Sequence, residues 1–417
     1  MELKITNVGK ISLAEIEIKG LTIIAGPNAT GKSTVSRSLF AMFHSFSKIS
    51  DKITLEKIYA IQKMFFSSNK HFEFMLTCQL QPRELAAILA GDVDKNRINK
   101  TLHNSNPTFE SPELVEELSD DIIKINSTSE ELLHREIVSE IFIDEFNRHI
   151  TNIRSNSKSE IELKIKDSKN KVVFDSKNEL VAIEVGKDLS YEVVYIDDPF
   201  IINSYNLSQE RGQMPLYGDV GEKVSNHRSS LISQYKNTEN LTLVDKANLK
   251  EKLNVIYKKI NDTLGADMAL FENDKNSVES HLSSDRLSVD SLSSGMKTFY
   301  LIKRLIDNGS IVQNTTLILD EPEVHLHPDW QVSLAEIIVL LQKEMGLHIL
   351  INTHSPYFLR AIEVYSQKYA IAPCVKYYLS YNEEDISKIN DVTLDISKIY
   401  KVLSKPLQRI EDEAYND

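Results

Sequence analysis

Cysteine is nearly absent from this chain; Cys78 and Cys374 are the only two. They stand far apart, so they offer neither a disulfide framework nor Cys-x-x-Cys metal spacing. Long apolar runs are absent too. None approaches the roughly 20 residues that a helix needs to cross a bilayer, which excludes a membrane-spanning reading. The opening Met1-Glu2-Leu3-Lys4-Ile5 reads as a strand and not as a secretory leader, so a cytoplasmic protein is expected. Positive charge is in deficit, with 48 Lys and Arg against 61 Asp and Glu and a formal net charge of −13. Such a balance disfavours sequence-independent binding along a nucleic-acid duplex, where Lys and Arg must replace counterions. Two small lysine clusters read as solvated faces: Lys164, Lys166, Lys169 and Lys171, then Lys246, Lys250, Lys252, Lys258 and Lys259. Sustained heptads are missing, which excludes a long coiled coil. What remains is 417 residues, 41% hydrophobic and 26% charged, the composition of a globular protein with two or three domains.

The most informative stretch present is Gly26-Pro27-Asn28-Ala29-Thr30-Gly31-Lys32-Ser33-Thr34, which fits G-x-x-x-x-G-K-[ST]. An apolar run, Leu21–Ala25, precedes it and reads as a buried strand. Val35, Leu39, Phe43 and Phe46 follow at the spacing of one helix face. Strand, glycine loop and helix together suit a polyphosphate, because backbone N–H groups and the helix N-terminus all point at the anion. Gly26, Asn28, Thr30, Gly31, Lys32, Ser33 and Thr34 are the candidate contacts. Lys32 would reach the β- and γ-phosphates, and the Ser33 hydroxyl would bind Mg²⁺. A chance glycine turn would need neither the strand nor the helix.

A second motif, Thr315–Pro322, is an apolar strand that ends in two carboxylates, Asp320 and Glu321. Its lack of alternation predicts a strand buried on both faces of a parallel sheet. Ligands gather at the C-terminal ends of such strands. Asp320 is the candidate metal ligand and Glu321 the candidate general base. A solvated acidic turn is the plainer alternative, but the strand and the phosphate loop require each other.

Two further motifs narrow the class. Ser291-Leu292-Ser293-Ser294-Gly295-Met296-Lys297 lies just before the carboxylate strand. His354 follows another apolar strand, Leu347–Thr353. With these motifs in this order, the chain resembles the soluble branch of the ATP-binding cassette ATPases that includes SMC, Rad50, RecF and OLD-like AAA-type proteins. The resemblance spans the first ~45 residues and Ser288 to Leu359. It implies an α/β fold, a two-lobed ABC-type P-loop NTPase domain with a helical insertion and a short helical arm. It implies ATP and Mg²⁺ as cofactors and hydrolysis of ATP to ADP and phosphate. It implies Lys32, Glu321 and His354 as catalytic residues, with His354 as the switch histidine. It places Ser293 and Gly295 on the γ-phosphate of a second subunit, in a homodimer that sandwiches ATP.

The run Asp320-Glu321-Pro322-Glu323-Val324-His325-Leu326-His327-Pro328 looks like that of the OLD-like branch. His325 and His327, with no third ligand, read as a structural feature of a dimer-facing loop. The tail offers no strand-ending Glu with a later Asp-x-Asp pair, so no nuclease domain is expected there. The resemblance therefore extends to ATPase subunits of prokaryotic anti-phage defence systems, of the Septu and retron-associated kind, which pair with a separate nuclease or toxin. A RecF- or Rad50-like DNA repair ATPase is the alternative, and a scaffold that binds ATP but barely hydrolyses it is a third reading.

Departures from the family pattern carry expectations. Ala29 stands where the family has Gly; alanine tolerates positive φ poorly, so a shifted turn is expected. Met296 removes a polar side chain from the signature, which counts against fast catalysis in trans. The family's glutamine after a first-lobe strand has no clear counterpart; Gln209 and Gln213 are the nearest in sequence.

The motifs divide the chain. Residues 1–45 open the ATPase lobe, with strands at Leu3–Ile5, Ala14–Ile18 and Leu21–Ala25. Residues 46–155 read as a helical insertion, with helices at Glu56–Phe66, Pro112–Ile125 and Ser129–His149. Residues 156–200 return to the first lobe through a hairpin turning around Ser168-Lys169-Asn170 and a strand at Tyr191–Ile196. Residues 201–285 form an arm region, where Leu249, Leu253, Ile256 and Ile260 give one helical stripe, read as core. Residues 286–360 hold the signature, carboxylate strand and switch histidine; Gly295 breaks the pattern before a helix at Thr298–Ile306. Residues 361–417 add a strand at Val375–Tyr381, an acidic turn at Glu383-Glu384-Asp385 and a helix at Ile396–Glu413.

Overall fold

The computed structural model describes residues 1–152, 157–186, 189, 193–203, 226–237, 241–264, 277–280 and 283–414. Strand β1 (Glu2–Val8) alternates buried and exposed residues and pairs antiparallel with β2 (Ile11–Glu17), Leu3 opposite Ile16 and Ile5 opposite Ala14. All five residues of β3 (Leu21–Ala25) are buried, as expected for an unalternating run covered on both faces. Helix α1 (Lys32–Phe46) follows directly from the phosphate loop and buries Val35, Leu39, Phe40 and Phe43.

The chain divides into two compact units, one comprising Met1–Ser47, Ile141–Arg211 and Val224–Asp417, the other built on Lys48–Glu140. The second is helical: α2 (Ile49–Phe65), α3 (Asn69–Thr77), α4 (Pro82–Leu89), α5 (Lys95–Ser105), α6 (Pro112–Asn126) and the first part of α7 (Glu130–Glu145). Ile61, Phe65, Phe74, Leu85, Leu89, Ile98, Leu102, Leu118 and Ile122 make its core. Ser68, Asp94 and Ser111 cap α3, α5 and α6, and such caps are each worth about 1 kcal/mol. Asn126 ties α6 to the end of α4, donating to the carbonyls of Leu89 (2.8 Å) and Asp92 (2.7 Å) and accepting from the Gly91 N–H at 2.9 Å.

In the first unit, β4 (Ser159–Ile165), β5 (Ser168–Phe174) and β6 (Leu180–Glu184) extend the β1–β2 pair as an antiparallel meander. The hairpin turns at Lys166-Asp167, not at 168–170. Lys166 takes φ +53, and Ser168 already pairs with Ile165. Strand β7 occupies Val193–Ile196, and the residues before it, Tyr191 and Glu192, lie outside the described residues. Further along lie α8 (His227–Lys236), α9 (Leu243–Lys252) and α10 (Asn254–Leu264). The stripe over Leu249–Ile260 therefore spans two helices that break at Leu253. Leu253, Ile256 and Ile260 do enter the core, and Leu249 packs against it partly buried. Strands β8 (Ser277–Ser280) and β9 (Ser283–Ser288) form a separate ribbon. Then come α11 (Ser294–Asp307), β10 (Thr316–Asp320), α12 (Pro328–Met345), β11 (His348–Thr353), α13 (Pro356–Lys368), β12 (Val375–Glu383) and β13 (Ile386–Asp391). The last helix breaks at Ser404 into α14 (Ser397–Leu403) and α15 (Lys405–Ala414).

An eleven-stranded sheet organises this unit, in the order β6-β5-β4-β1-β2-β13-β12-β3-β11-β10-β7. From β12 to β7 all neighbours are parallel. The rest is antiparallel, apart from a single parallel bridge between β13 and β2. The fold is thus α/β, a parallel nucleotide-binding core continued into an antiparallel lobe. Strand β3 sits inside the parallel part beside β11, which brings the loop after β3 next to the ends of β10 and β11.

Candidate nucleotide site

Packing dictates the shape of the loop between β3 and α1. A side chain on Gly26 would overlap the Ser380 carbonyl of β12, so only glycine fits there. Gly31 takes φ +86, which glycine adopts without cost. Ala29 also adopts the left-handed region, at φ +61. The alanine accepts that strain, typically of order 1 kcal/mol, where a shifted turn was expected. Side chains brace the turn around it: Thr30 Oγ1 donates to the Pro27 carbonyl at 2.8 Å, and Ser380 Oγ to the Thr30 carbonyl at 2.6 Å.

Lys32 is 4% exposed and curls into the loop, its Nζ donating to the carbonyls of Gly26 (3.0 Å) and Pro27 (2.9 Å). Burial holds its pKa below the usual lysine value, although Glu321 and Asp320 pull the other way. A cavity of about 630 Å³ opens over the loop. Asn28, Ala29, Thr30, Gly31, Lys32, Ser33, Thr34 and Glu321 line it, whereas Gly26, Asp320 and His354 do not. Residues that motif reading left aside complete the walls: Gly9 and Lys10 from the β1–β2 turn, His149, Thr151 and Asn152, and Asp385.

Asp320 ends β10 between two parallel neighbours, opposite Asn352 of β11. Its carboxylate is 9% exposed. Oδ1 accepts from Asn352 Nδ2 at 2.8 Å and Oδ2 from the Tyr195 hydroxyl of β7 at 3.0 Å. Asn352 also reaches Ser36 of α1, at 2.8 Å. Neither Tyr195 nor Asn352 was singled out from the sequence. Asn352 left a readable trace, an amide in an otherwise apolar strand; Tyr195 left none.

Glu321 turns out of the strand with φ +50, and its N–H donates to the Asn352 carbonyl at 2.9 Å. Its Oε1 lies 3.3 Å from His354 Nδ1 and 3.9 Å from Lys32 Nζ. The contact with His354 holds the Glu321 carboxyl below its ordinary pKa despite partial burial. Reciprocally, Glu321 raises the His354 imidazole. Glu323, 3% exposed, supports this corner. It accepts from Thr353 Oγ1 at 2.5 Å, the His354 N–H at 3.1 Å and the Ser355 N–H at 3.3 Å, which pins the backbone carrying His354. Burial pushes the Glu323 carboxyl up.

Ser293 and Gly295 do not line this cavity; they sit at the start of α11. That helix begins at Ser294, earlier than the pattern suggests, because the exposed Ser293 caps it by accepting from the Met296 N–H at 3.4 Å. Gly295 does not interrupt the helix. It lies buried in the first turn, where a Cβ would press within 2.9 Å of Leu326 and Trp330. His327 caps α12 through the Asp329 N–H at 3.4 Å, and His325 meets the Phe200 ring edge-on at 5.8 Å. Gln209 and Gln213 lie outside the described residues.

The fold is similar to several solved structures at low identity. An SMC head bound to the C-terminal winged-helix domain of ScpA matches at 10% identity and TM-score 0.46, over 95% of this chain and 98% of that one. An SMC head domain from Thermotoga maritima matches at 11% identity and TM-score 0.41, over 94% and 98%. The ADP conformation of an ATP-binding cassette from an ABC transporter matches at 12% identity and TM-score 0.31, over 97% and 96%. A family model described as AAA_15, AAA ATPase domain, matches residues 1–359. With a glycine loop closing on Lys32 and a paired carboxylate at the end of β10, the next parallel strand but one from β3, the chain belongs to this AAA ATPase domain family.

Proposed function

We propose that this chain binds ATP with Mg²⁺ over the Gly26–Thr34 loop, hydrolyses it slowly, and uses the cycle as a conformational switch. The observation that carries this reading is the convergence of Lys32, Ser33 and Glu321 on one cavity, with His354 bonded to Glu321 and Asp320 next to it at the end of β10. The donor chemistry fits a hard divalent cation, since Ser33 supplies an exposed hydroxyl and Asp320 a carboxylate. Magnesium held there would neutralise developing charge on the phosphates.

The protein groups divide the remaining work. The Lys32 ammonium exchanges its two backbone carbonyl partners for phosphate oxygens, a stronger, charge-assisted pairing. Backbone N–H groups of the loop and the α1 N-terminus face the polyphosphate. Glu321, kept ionised by His354, accepts the proton of the attacking water. Its lowered pKa makes it a weak base, in keeping with slow turnover. His354 sits on backbone held by Glu323 and contacts the phosphate end.

The exposed Ser293 at the α11 N-terminus lies away from the cavity walls, and this favours a head-to-tail homodimer in which Ser293 and Gly295 of one copy complete the site of the other. Glu321→Gln tests the chemistry: turnover should fall at least ~100-fold with ATP binding retained, and an unchanged rate removes Glu321 from the mechanism. Ser293→Arg tests the sandwich: a variant that still dimerises with ATP and hydrolyses it at the normal rate would rule out the trans site.

The physiological setting we propose is an anti-phage defence complex, cytoplasmic, in which this ATPase controls a separate nuclease or toxin. The resemblance of the Asp320–Pro328 run to OLD-like ATPases supports it. Native mass spectrometry of tagged Glu321→Gln from its host should find a second polypeptide. A bare dimer that binds DNA in a salt-sensitive way would favour the repair reading instead, which the net charge of −13 disfavours.

A further inference from the structure

Behind Asp320 lies a buried set of polar and charged groups that the hydrolytic reading does not use. His227, at the start of α8, is 6% exposed. Its ring stacks on Tyr195 with centroids 4.3 Å apart and planes 27° from parallel, while Phe40 of α1 meets it edge-on at 6.0 Å. Two carboxylates flank the imidazole. Glu145, at the end of α7, places Oε1 2.7 Å from Nδ1 and accepts the His227 backbone N–H on Oε2 at 2.9 Å. Asp197, just beyond β7, places Oδ2 3.1 Å from Nε2 and also pairs with Arg228 at 2.9 Å.

We propose that Tyr195 and His227 are positioning residues for the nucleotide-bound cation. His227, clamped between Glu145 and Asp197, fixes the Tyr195 ring by stacking, and the Tyr195 hydroxyl fixes the orientation of Asp320.

The geometry argues for this in three steps. A carboxylate at a strand end has a freely rotating χ2 unless both oxygens are held. Here Asn352 holds Oδ1 and Tyr195 holds Oδ2, from the strands on either side. With both oxygens oriented, their remaining lone pairs face a single direction, the arrangement that outer partners impose on metal-binding carboxylates. Ring contacts with His227 and Phe40 set the plane of Tyr195. Burial alone would lower the His227 pKa, but Asp197 and Glu145 outweigh it and raise the imidazole to about 9, which keeps the clamp charged. A neutral residue at this position would leave the buried Glu145 carboxylate facing that of Asp197 with no cation between them.

The inference rests on Asp320 serving the cation, so its test separates the two. Binding of a fluorescent ADP analogue is titrated in Mg²⁺ and in EDTA, and the ratio of the two affinities isolates the cation's contribution without any catalysis. Tyr195→Phe removes only the hydroxyl and keeps the stack. We expect it to cut the Mg²⁺-dependent ratio about tenfold, the usual scale for an outer-shell partner, with affinity in EDTA unchanged. His227→Gln should move the ratio in the same direction by a smaller factor. Asp320→Asn is the control. If it lowers the ratio and Tyr195→Phe leaves it within twofold of wild type, the positioning role is wrong and the cation site stands. If Asp320→Asn also leaves the ratio unchanged, both readings fall.

Discussion

Raising the pH through 9 should remove a defined amount of stability, all of it traceable to His227. The imidazole faces Glu145 of α7, Asp197 beyond β7, Arg228 on its own helix, Tyr195 of β7 and Phe40 of α1, which itself stacks on His44. Burial opposes its charge, the two carboxylates favour it more, and the pKa rises from 6.5 to about 9. The folded value lies above the unfolded one, so the folded state binds the proton more tightly. That stabilisation is complete below the unfolded pKa and is lost as pH rises through the folded pKa. At about 1.4 kcal/mol per unit, it amounts to roughly 3 kcal/mol below pH 6, somewhat less at pH 7 and close to zero at pH 10.

Urea unfolding followed by the fluorescence of Trp330 measures it. Trp330 is the only tryptophan, lies against Phe299 at 5.9 Å, and belongs to the same compact unit as His227. Lysine and tyrosine titrations common to both proteins cancel in the difference between wild type and His227→Gln. That difference should shrink by about 2–3 kcal/mol between pH 7 and pH 10. A difference that stays constant over this range would refute the reasoning, because His227 would then be packed as a neutral ring.

Three other outcomes follow from single features of the structure. Gly26→Ala drives a methyl group into the Ser380 carbonyl and should cost about 3 kcal/mol or more, seen as a drop in the thermal midpoint together with loss of ATP binding. Asn126→Ala strands the Asp92 carbonyl and the Gly91 N–H in the helical unit, the Leu89 carbonyl keeping the Asp92 N–H, and should cost about 2 kcal/mol; proteolysis near Gly91 should quicken while Trp330 fluorescence and nucleotide affinity stay as they were. The Glu321–His354 pair predicts a bell-shaped rate profile. Turnover falls on the acid side as Glu321, whose pKa lies below 4.5, takes up a proton. It falls on the alkaline side as His354, whose pKa lies above 6.5, loses its own. An alkaline limb that survives in His354→Gln would assign it to another group.

Much of the site's framework was legible because its signals are local. Leu21–Ala25 and Thr316–Asp320 lack alternation because both faces are covered, and burial of every residue in each strand bears this out. The glycine loop and the periodicity of α1 sit within 25 residues of one another, so no long-range contact was needed to read them. Where local signals misled, competing local chemistry explains it. Ser293 caps α11 and moves its start ahead of Gly295, Ser404 divides the last helix, and a positive φ at Lys166 sets the hairpin turn earlier.

Residue chemistry alone marked Lys32, Ser33, Asp320, Glu321 and His354 as candidates to meet a phosphate, a cation and a water. What holds them became visible in the packing of the sheet. Tyr195 reaches Asp320 across 125 residues of chain, Asn352 across 32, and His227 reaches Glu145 across 82. Those pairings depend on β10 lying between β7 and β11 and on α8 packing behind them, an order set by how the whole sheet buries its apolar faces. A hydroxyl or imidazole carries no periodic trace of its partner. Its meaning appears only once the sheet has brought the two together out of water.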